Sequence, residues 1–205
     1  MDFPQIEGLR NIVLDLGGVL YAIDVDLTAK ALAKLAGPNA QPLSPEAQVF
    51  HDFEMGKLGD AAFRDQLRAA LDSECDDIAL DAAWNALLLG PIPNRLEYVR
   101  RLSEKYRVIL LSNTNTIHEK VWRPECESMF ALMEKLWFSF DLDMRKPNPE
   151  IYAHVLDAME MRPEESLFFD DSLANIEGAK SIGMEGVCIN PSDSTHFENA
   201  CLNLL

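Results

Sequence analysis

The chain has 205 residues, 48% hydrophobic and 25% charged, and its 18 Lys+Arg against 34 Asp+Glu leave a formal net charge of −16. That composition excludes a disordered tail, a collagen and a nucleic-acid-coating protein. A pI near 4.5 repels phosphate backbones and anionic lipid surfaces, and no run of Lys or Arg offers a basic patch, so neither nucleic acid nor membrane is an expected partner.

Taken from the N-terminus, Met1 to Arg10 carries Asp2 and Glu7 and no apolar stretch. No window reaches the ~18 uninterrupted apolar residues of a membrane span, which predicts a soluble, cytoplasmic protein. Short apolar runs rich in Val, Ile, Leu or Phe then recur at Asn11 to Leu14, Arg107 to Leu111, Leu136 to Phe140, Ser166 to Phe169 and Gly186 to Ile189. They read as buried parallel strands. Segments with helical spacing lie between most of them: Arg95 to Lys105, Pro149 to Met159, and Leu173 to Ile182 with Gly183 as its C-cap. Alternating strands and helices predict an α/β, Rossmann-like parallel sheet with helices on both faces.

Val25 to Ile92 breaks the alternation with four helical patterns in succession and no convincing strand, and it reads as an all-helical insert. Gly37-Pro38 is expected to end the first helix and Ser44-Pro45 to start the second. Gly56 to Gly59 reads as a turn, Asp60 as the cap of the third helix, and Gly90-Pro91 as the stop of the fourth. Phe50, Phe53, Phe63, Leu67, Leu71, Trp84, Leu87 and Leu88 are expected to line its interior. The four cysteines, Cys75, Cys126, Cys188 and Cys201, lack the spacing of a zinc site and read as reduced thiols, mostly in the core.

Ligands of an open parallel sheet bind outside the carboxyl ends of its strands. Here those ends read Asp15-Leu16-Gly17-Gly18-Val19, Ser112-Asn113, a stretch leading to Arg145-Lys146-Pro147, and Asp170-Asp171-Ser172. Singly, each is ordinary cap or turn chemistry. Together they gather three carboxylates, whose repulsion calls for a divalent metal and Lys146.

The order and wording of these motifs resemble the haloacid dehalogenase superfamily, over nearly the whole chain. Its apolar strand followed by Asp-x-Asp-Gly corresponds to Ile12-Val13-Leu14-Asp15-Leu16-Gly17-Gly18. The other motifs are Leu111-Ser112-Asn113, Lys146-Pro147, and Phe169-Asp170-Asp171-Ser172 with Asn175 and Gly178 following. Asp15-Leu16-Gly17, Phe53-Glu54-x-Gly56-Lys57, Trp84-Asn85 and Leu111-Ser112-Asn113-Thr114-Asn115 are similar to the branch containing bacterial glucose-1-phosphate phosphatases. The resemblance implies a helical cap inserted at 22–93 into a core of 1–21 and 94–205. It also implies a Mg²⁺-dependent phosphatase acting on a small phosphorylated metabolite, with a sugar phosphate expected. Asp15 is then the nucleophile; Asp15, the Gly17 carbonyl and Asp171 hold Mg²⁺, with Asp170 acting directly or through a water. Ser112 and the Asn113 backbone amide hold the phosphoryl oxygens while Lys146 offsets the negative charge.

Where the superfamily's phosphatases carry a second Asp, two residues after the nucleophile, this chain has Gly17. General acid–base help contributes about 10²- to 10⁴-fold, so the change matters. Asp24 or Asp26 could substitute, or simply cap a helix. A sugar 1-phosphate could need the acid less. The chain could instead bind a phospholigand or partner without efficient turnover, or act as a metal-independent haloacid dehalogenase. His118 and His154 read as surface or satisfied core residues, Thr114 and Asn115 as pocket or cap residues, and Trp122, Trp137, Met129, Met133 and Met144 as packing.

Overall fold

The computed structural model describes residues 3–41, 44, 47–193 and 195–205. The chain enters β1 (Asn11–Leu14), makes a tight turn and forms β2 (Tyr21–Ile23). Next come α1 (Val25–Leu35), α2 (Gln48–Glu54), α3 (Asp60–Leu71), α4 (Asp77–Trp84), a 3-10 turn (Asn85–Leu87) and β3 (Leu88–Pro91). Alternation then sets in with α5 (Arg95–Ser103), β4 (Arg107–Ser112), α6 (Thr116–Phe130), β5 (Lys135–Phe138) and α7 (Ser139–Leu142). It continues with α8 (Pro149–Ala158), β6 (Ser166–Asp170), α9 (Leu173–Lys180), β7 (Glu185–Cys188) and α10 (His196–Leu202).

The apolar runs expected as strands form one five-stranded parallel sheet of order β5-β4-β1-β6-β7. The run at Leu136 to Phe140 shifts to Lys135–Phe138 because Ser139 begins α7. Alternation along the strands sorts the core into two layers. Ile12, Leu14, Leu110 and Phe169 pack on one face with Val99, Trp122 and Phe197 from α5, α6 and α10. Val13, Ile109 and Phe168 pack on the other with Tyr152, Val155 and Ile176 from α8 and α9. Strand order reverses beside β1, with β4 on one side and β6 on the other, so the carboxyl ends of these three border one crevice.

The four expected helices of the insert are present, but its ends need correction. β2 and β3 pair antiparallel where the chain leaves and re-enters the sheet layer, so the insert is not helical throughout. Gly90-Pro91 therefore does not stop the fourth helix, which ends at Trp84. Pro91 fits a two-stranded ribbon, whose outer positions need no ladder N–H, and Gly90 takes φ +116°. Asp60 is the first residue of α3 with Gly59 in the cap position, because its carboxylate is held by Thr116 and Lys120. The second helix begins at Gln48; Pro45, expected at its start, lies outside the described residues.

Phe53, Phe63, Leu67, Leu71 and Trp84 form the insert's own cluster, with Phe53 and Phe63 stacked at 4.0 Å; Leu88 instead joins the sheet core. Ile117 of α6 belongs to the insert's cluster and is 1% exposed, so this core helix is built into the insert's packing. No helix among the described residues is long and apolar enough to cross a membrane. Ile117→Ala is expected to destabilise the protein by about 2–5 kcal/mol in urea unfolding, the range for deleting a fully buried aliphatic side chain. A change under about 1 kcal/mol would mean that the insert packs independently of α6.

Candidate active site

β1 is buried along its length and leads into Asp15, whose backbone N–H extends the ladder by donating to the Phe169 carbonyl at 2.9 Å. β4 ends on buried Ser112 and is followed by Asn113; β6 ends on Asp170 and is followed by Asp171. Lys146 does not come from a strand end. The third apolar run gives way to α7, and the lysine arrives from the loop between α7 and α8.

The Lys146 ammonium, 1% exposed, joins these groups. It lies 2.6 Å from Asp170 Oδ2 and 2.8 Å from Asp15 Oδ1, and it donates to the Leu111 carbonyl at 3.0 Å. Asp170 is fully engaged: Oδ1 accepts from the Ser172 N–H at 2.8 Å and Asn175 Nδ2 at 2.9 Å, and Oδ2 accepts from Lys146 and Asn175. Asp15 Oδ1 meets Lys146 off the hydrogen-bond direction, which leaves it a buried acceptor without an aligned donor.

Burial pushes the Asp15 carboxyl up to about 7, opposed by Lys146 and helped by Asp170 and Asp171. Burial and then Asp170 also raise Asp171. For Lys146, burial alone would lower the value, but Asp15 and Asp170 outweigh it and the ammonium is held charged. Ligand oxygens of Asp15, Asp170 and Asp171 lie within 4.8 Å of one another, and a single lysine is the only cation in contact with them among the described residues. Excess negative charge, all-oxygen donors and the orphaned Asp15 Oδ1 fit a hard divalent cation such as Mg²⁺.

Gly18 holds the turn after Asp15 against the acid pair. Its φ is +71°, and a Cβ there would stand 2.2 Å from Asp171 Oδ2. Gly17 faces Ile23 instead, whose Cδ1 would be 3.1 Å from an added Cβ. Asp24 caps α1, accepting from the Asp26 N–H at 3.0 Å, and Asp26 is exposed in the first turn. Asn113 turns its side chain onto the backbone of Lys146, donating to the carbonyl and accepting from the N–H, each at 2.9 Å. His154 is exposed, and Cys126 and Cys201 are buried free thiols.

Contacts between the insert and this crevice were not legible in the sequence. Asn115 Oδ1 caps α6, accepting from the N–H groups of Ile117 and His118, and also accepts from Trp84 Nε1 at 3.4 Å. Trp84 stacks on His118 at 5.0 Å, and His118 Nδ1 lies 2.8 Å from Asn85 Oδ1. Burial lowers the His118 pKa to about 3 and keeps the ring neutral. Glu54 pairs with Arg145, the neighbour of Lys146, at 2.9 Å, and burial raises its carboxyl despite that cation. Glu54 and Arg145 both stand in motifs singled out above, but nothing in local spacing pairs charges 91 positions apart.

A family model for haloacid dehalogenase-like hydrolases matches residues 9–183. The chain belongs to the haloacid dehalogenase-like hydrolases. It is 32% identical over 185 residues to a D-ribitol-5-phosphate phosphatase of Bacteroides thetaiotaomicron, spanning 86% of this chain and 90% of that one. A haloacid dehalogenase family enzyme of the same organism, solved with magnesium and inorganic phosphate, superposes with a TM-score of 0.80 at 31% identity, covering 91% of this chain and 96% of the other. A hydrolase of this family from Porphyromonas gingivalis gives 0.84 at 26% identity, covering 96% and 98%. The crevice where β1, β4 and β6 end is where an open parallel sheet of this order takes a ligand.

Two outcomes follow for this hydrolase. His118 ionises near its ordinary value of 6.5 when unfolded and near 3 when folded, so stability is full above pH 6.5 and is lost as pH falls through that window. His118→Phe, which keeps the stack on Trp84, is expected to flatten the decline in unfolding midpoint between about pH 6.5 and pH 4. An unchanged slope would show that another group carries the acid sensitivity. Gly18→Ala combines an unfavourable φ with a collision at Asp171, and should weaken stabilisation by Mg²⁺ in a thermal-shift titration. Wild-type stabilisation would show that the turn relaxes without moving Asp171.

Proposed function

We propose that this hydrolase is a Mg²⁺-dependent phosphatase of small phosphorylated sugars or polyols, acting through an aspartyl-phosphate on Asp15. The observation that carries the reading is the buried Lys146 bridging Asp15 and Asp170, with the ion-paired Asp15 oxygen lacking an aligned hydrogen-bond donor beside Asp171. The sugar-like substrate class is supported by the similarity to a ribitol-5-phosphate phosphatase.

An Asp15 carboxylate oxygen attacks phosphorus as the bond to the leaving oxygen breaks. Ser112 and the backbone amide of Asn113 hold the phosphoryl oxygens, and Lys146 balances the charge spreading over them in the transition state. Water then attacks the acyl-phosphate, releasing inorganic phosphate and restoring Asp15. Asp15, the Gly17 carbonyl and Asp171 would hold Mg²⁺, with Asp170, whose oxygens are already engaged, acting behind them through a water. The cation supplies charge neutralisation between carboxylates and phosphate. Residues 22–93 act as a cap over the leaving group, and 1–21 with 94–205 act as the core that holds the phosphoryl end.

Gly17 provides no acid, Asp24 is occupied as a helix cap and Asp26 is exposed in the first turn of α1, so the leaving oxygen takes its proton from water. Phosphate release from a panel of sugar and polyol phosphates should require Mg²⁺ and vanish in Asp15→Asn. Metal-independent turnover, or turnover surviving in Asp15→Asn, would overturn the reading. With no built-in acid, kcat for p-nitrophenyl phosphate should exceed that for an alkyl phosphate by about 10²- to 10⁴-fold. Equal rates would place a general acid elsewhere in the chain.

A further inference from the structure

We infer that the side chain of Asn113 is a positioning residue for Lys146, clamping the lysine's backbone so that its ammonium stays between Asp15 and Asp170. The inference rests on the phosphatase reading above and adds to it a role for a side chain that makes no contact with the reacting groups.

Lys146 lies on a loop, and its N–H and C=O have no place in the sheet. Buried backbone groups of this kind need partners. Asn113 supplies both: Lys146 N–H donates to Oδ1 and Asn113 Nδ2 donates to the Lys146 carbonyl, each at 2.9 Å. The pair imitates one rung of a β-ladder across 33 positions of sequence. Asn113 directly follows β4, so the clamp refers the lysine to the strand that carries Ser112. From the other side α9 presses on the same loop, and a Cβ at Gly178 would stand 2.2 Å from the Pro147 carbonyl. The ammonium then reaches three acceptors: Asp15, Asp170 and the Leu111 carbonyl. Only an amide of this length has a donor and an acceptor side by side for the clamp.

The test compares Asn113→Ala, which removes both bonds, with the isosteric Asn113→Asp, which keeps the acceptor and loses the donor. Displacing a catalytic cation by about 1 Å costs on the order of 10²-fold in rate, so kcat of Asn113→Ala should fall by about that factor, and Asn113→Asp, whose second oxygen would face the Lys146 carbonyl, should fall at least as far. For Asn113→Ala, KM and the inhibition constant for inorganic phosphate should stay within about threefold, because the side chain does not hold the phosphoryl group. An unchanged kcat overturns the inference, as does a rise in KM and phosphate inhibition constant at constant kcat. Crystal structures of the two variants provide a readout independent of turnover. Lys146 Nζ is expected to leave hydrogen-bond distance of Asp15 or Asp170, and retention of both contacts in both variants refutes the clamp. If the wild type shows no Mg²⁺-dependent phosphate release, the phosphatase reading falls and the structures alone decide the clamp.

Discussion

A single buried ammonium holds the active crevice together. Lys146 has its charge where desolvation is expensive, and the Asp15 and Asp170 carboxylates make that position tenable. The dependence is mutual. Without the lysine, Asp15, Asp170 and Asp171 would place three carboxyl groups within a few ångströms of one another at the carboxyl ends of two adjacent strands. The sheet order brings β1 and β6 side by side, and the cation makes that adjacency affordable. The same logic explains the unequal carboxyls. Asp170 has donors on both oxygens and serves as a fixed counter-charge, whereas Asp15 keeps an oxygen without an aligned donor.

The sheet was legible because its signals are local, and the polar residues that the structure gathers at its strand ends stood out for the same reason. Five apolar runs ending in Asp, Ser or acid pairs carry strand and strand-end signals within a few residues. What escaped were features set by distant partners. Asp60 looks like a helix cap until Lys120, on α6, takes its carboxylate. Gly90-Pro91 looks like a helix stop until Tyr21 to Ile23 provides a strand for Leu88 to Pro91 to pair with. Asn113 reads as turn chemistry beside Ser112, yet its side chain answers to a loop residue 33 positions away. Lys146 stood out beside its proline although its route into the crevice did not, because local sequence marks the charged side chain but not the helix that precedes it.

The insert is not an independent body resting on the sheet. Ile117, at the start of α6, is packed into the insert's aromatic cluster, and Asn115 uses one oxygen both to cap that helix and to receive Trp84. Asn115 stands three residues after Ser112, so the strand end that borders the crevice and the helix that anchors the insert are one continuous segment. The opposite seam is different in kind: Glu54 and Arg145 meet there as a half-buried ion pair, with Lys57 and Asp143 at 3.5 Å on the exposed rim. Apolar packing resists separation, while partly solvated ion pairs exchange readily with water. The two seams therefore differ in chemistry, apolar packing with a shared helix cap on the α6 side and ion pairs on the Glu54–Arg145 side.

That asymmetry bears on Gly17. In this fold a second acid would project from the turn after β1, but here the space beside Gly17 is filled by Ile23, whose Cδ1 would lie 3.1 Å from a Cβ. Ile23 belongs to β2, half of the ribbon that carries the chain out to the insert, and its partner strand begins at Leu88. A side chain at position 17 would meet the tip of Ile23, which must give by a few tenths of an ångström. The glycine thus lies against the ribbon that leads to the insert, and a larger residue there has to be accommodated by the Ile23 side chain rather than by open space.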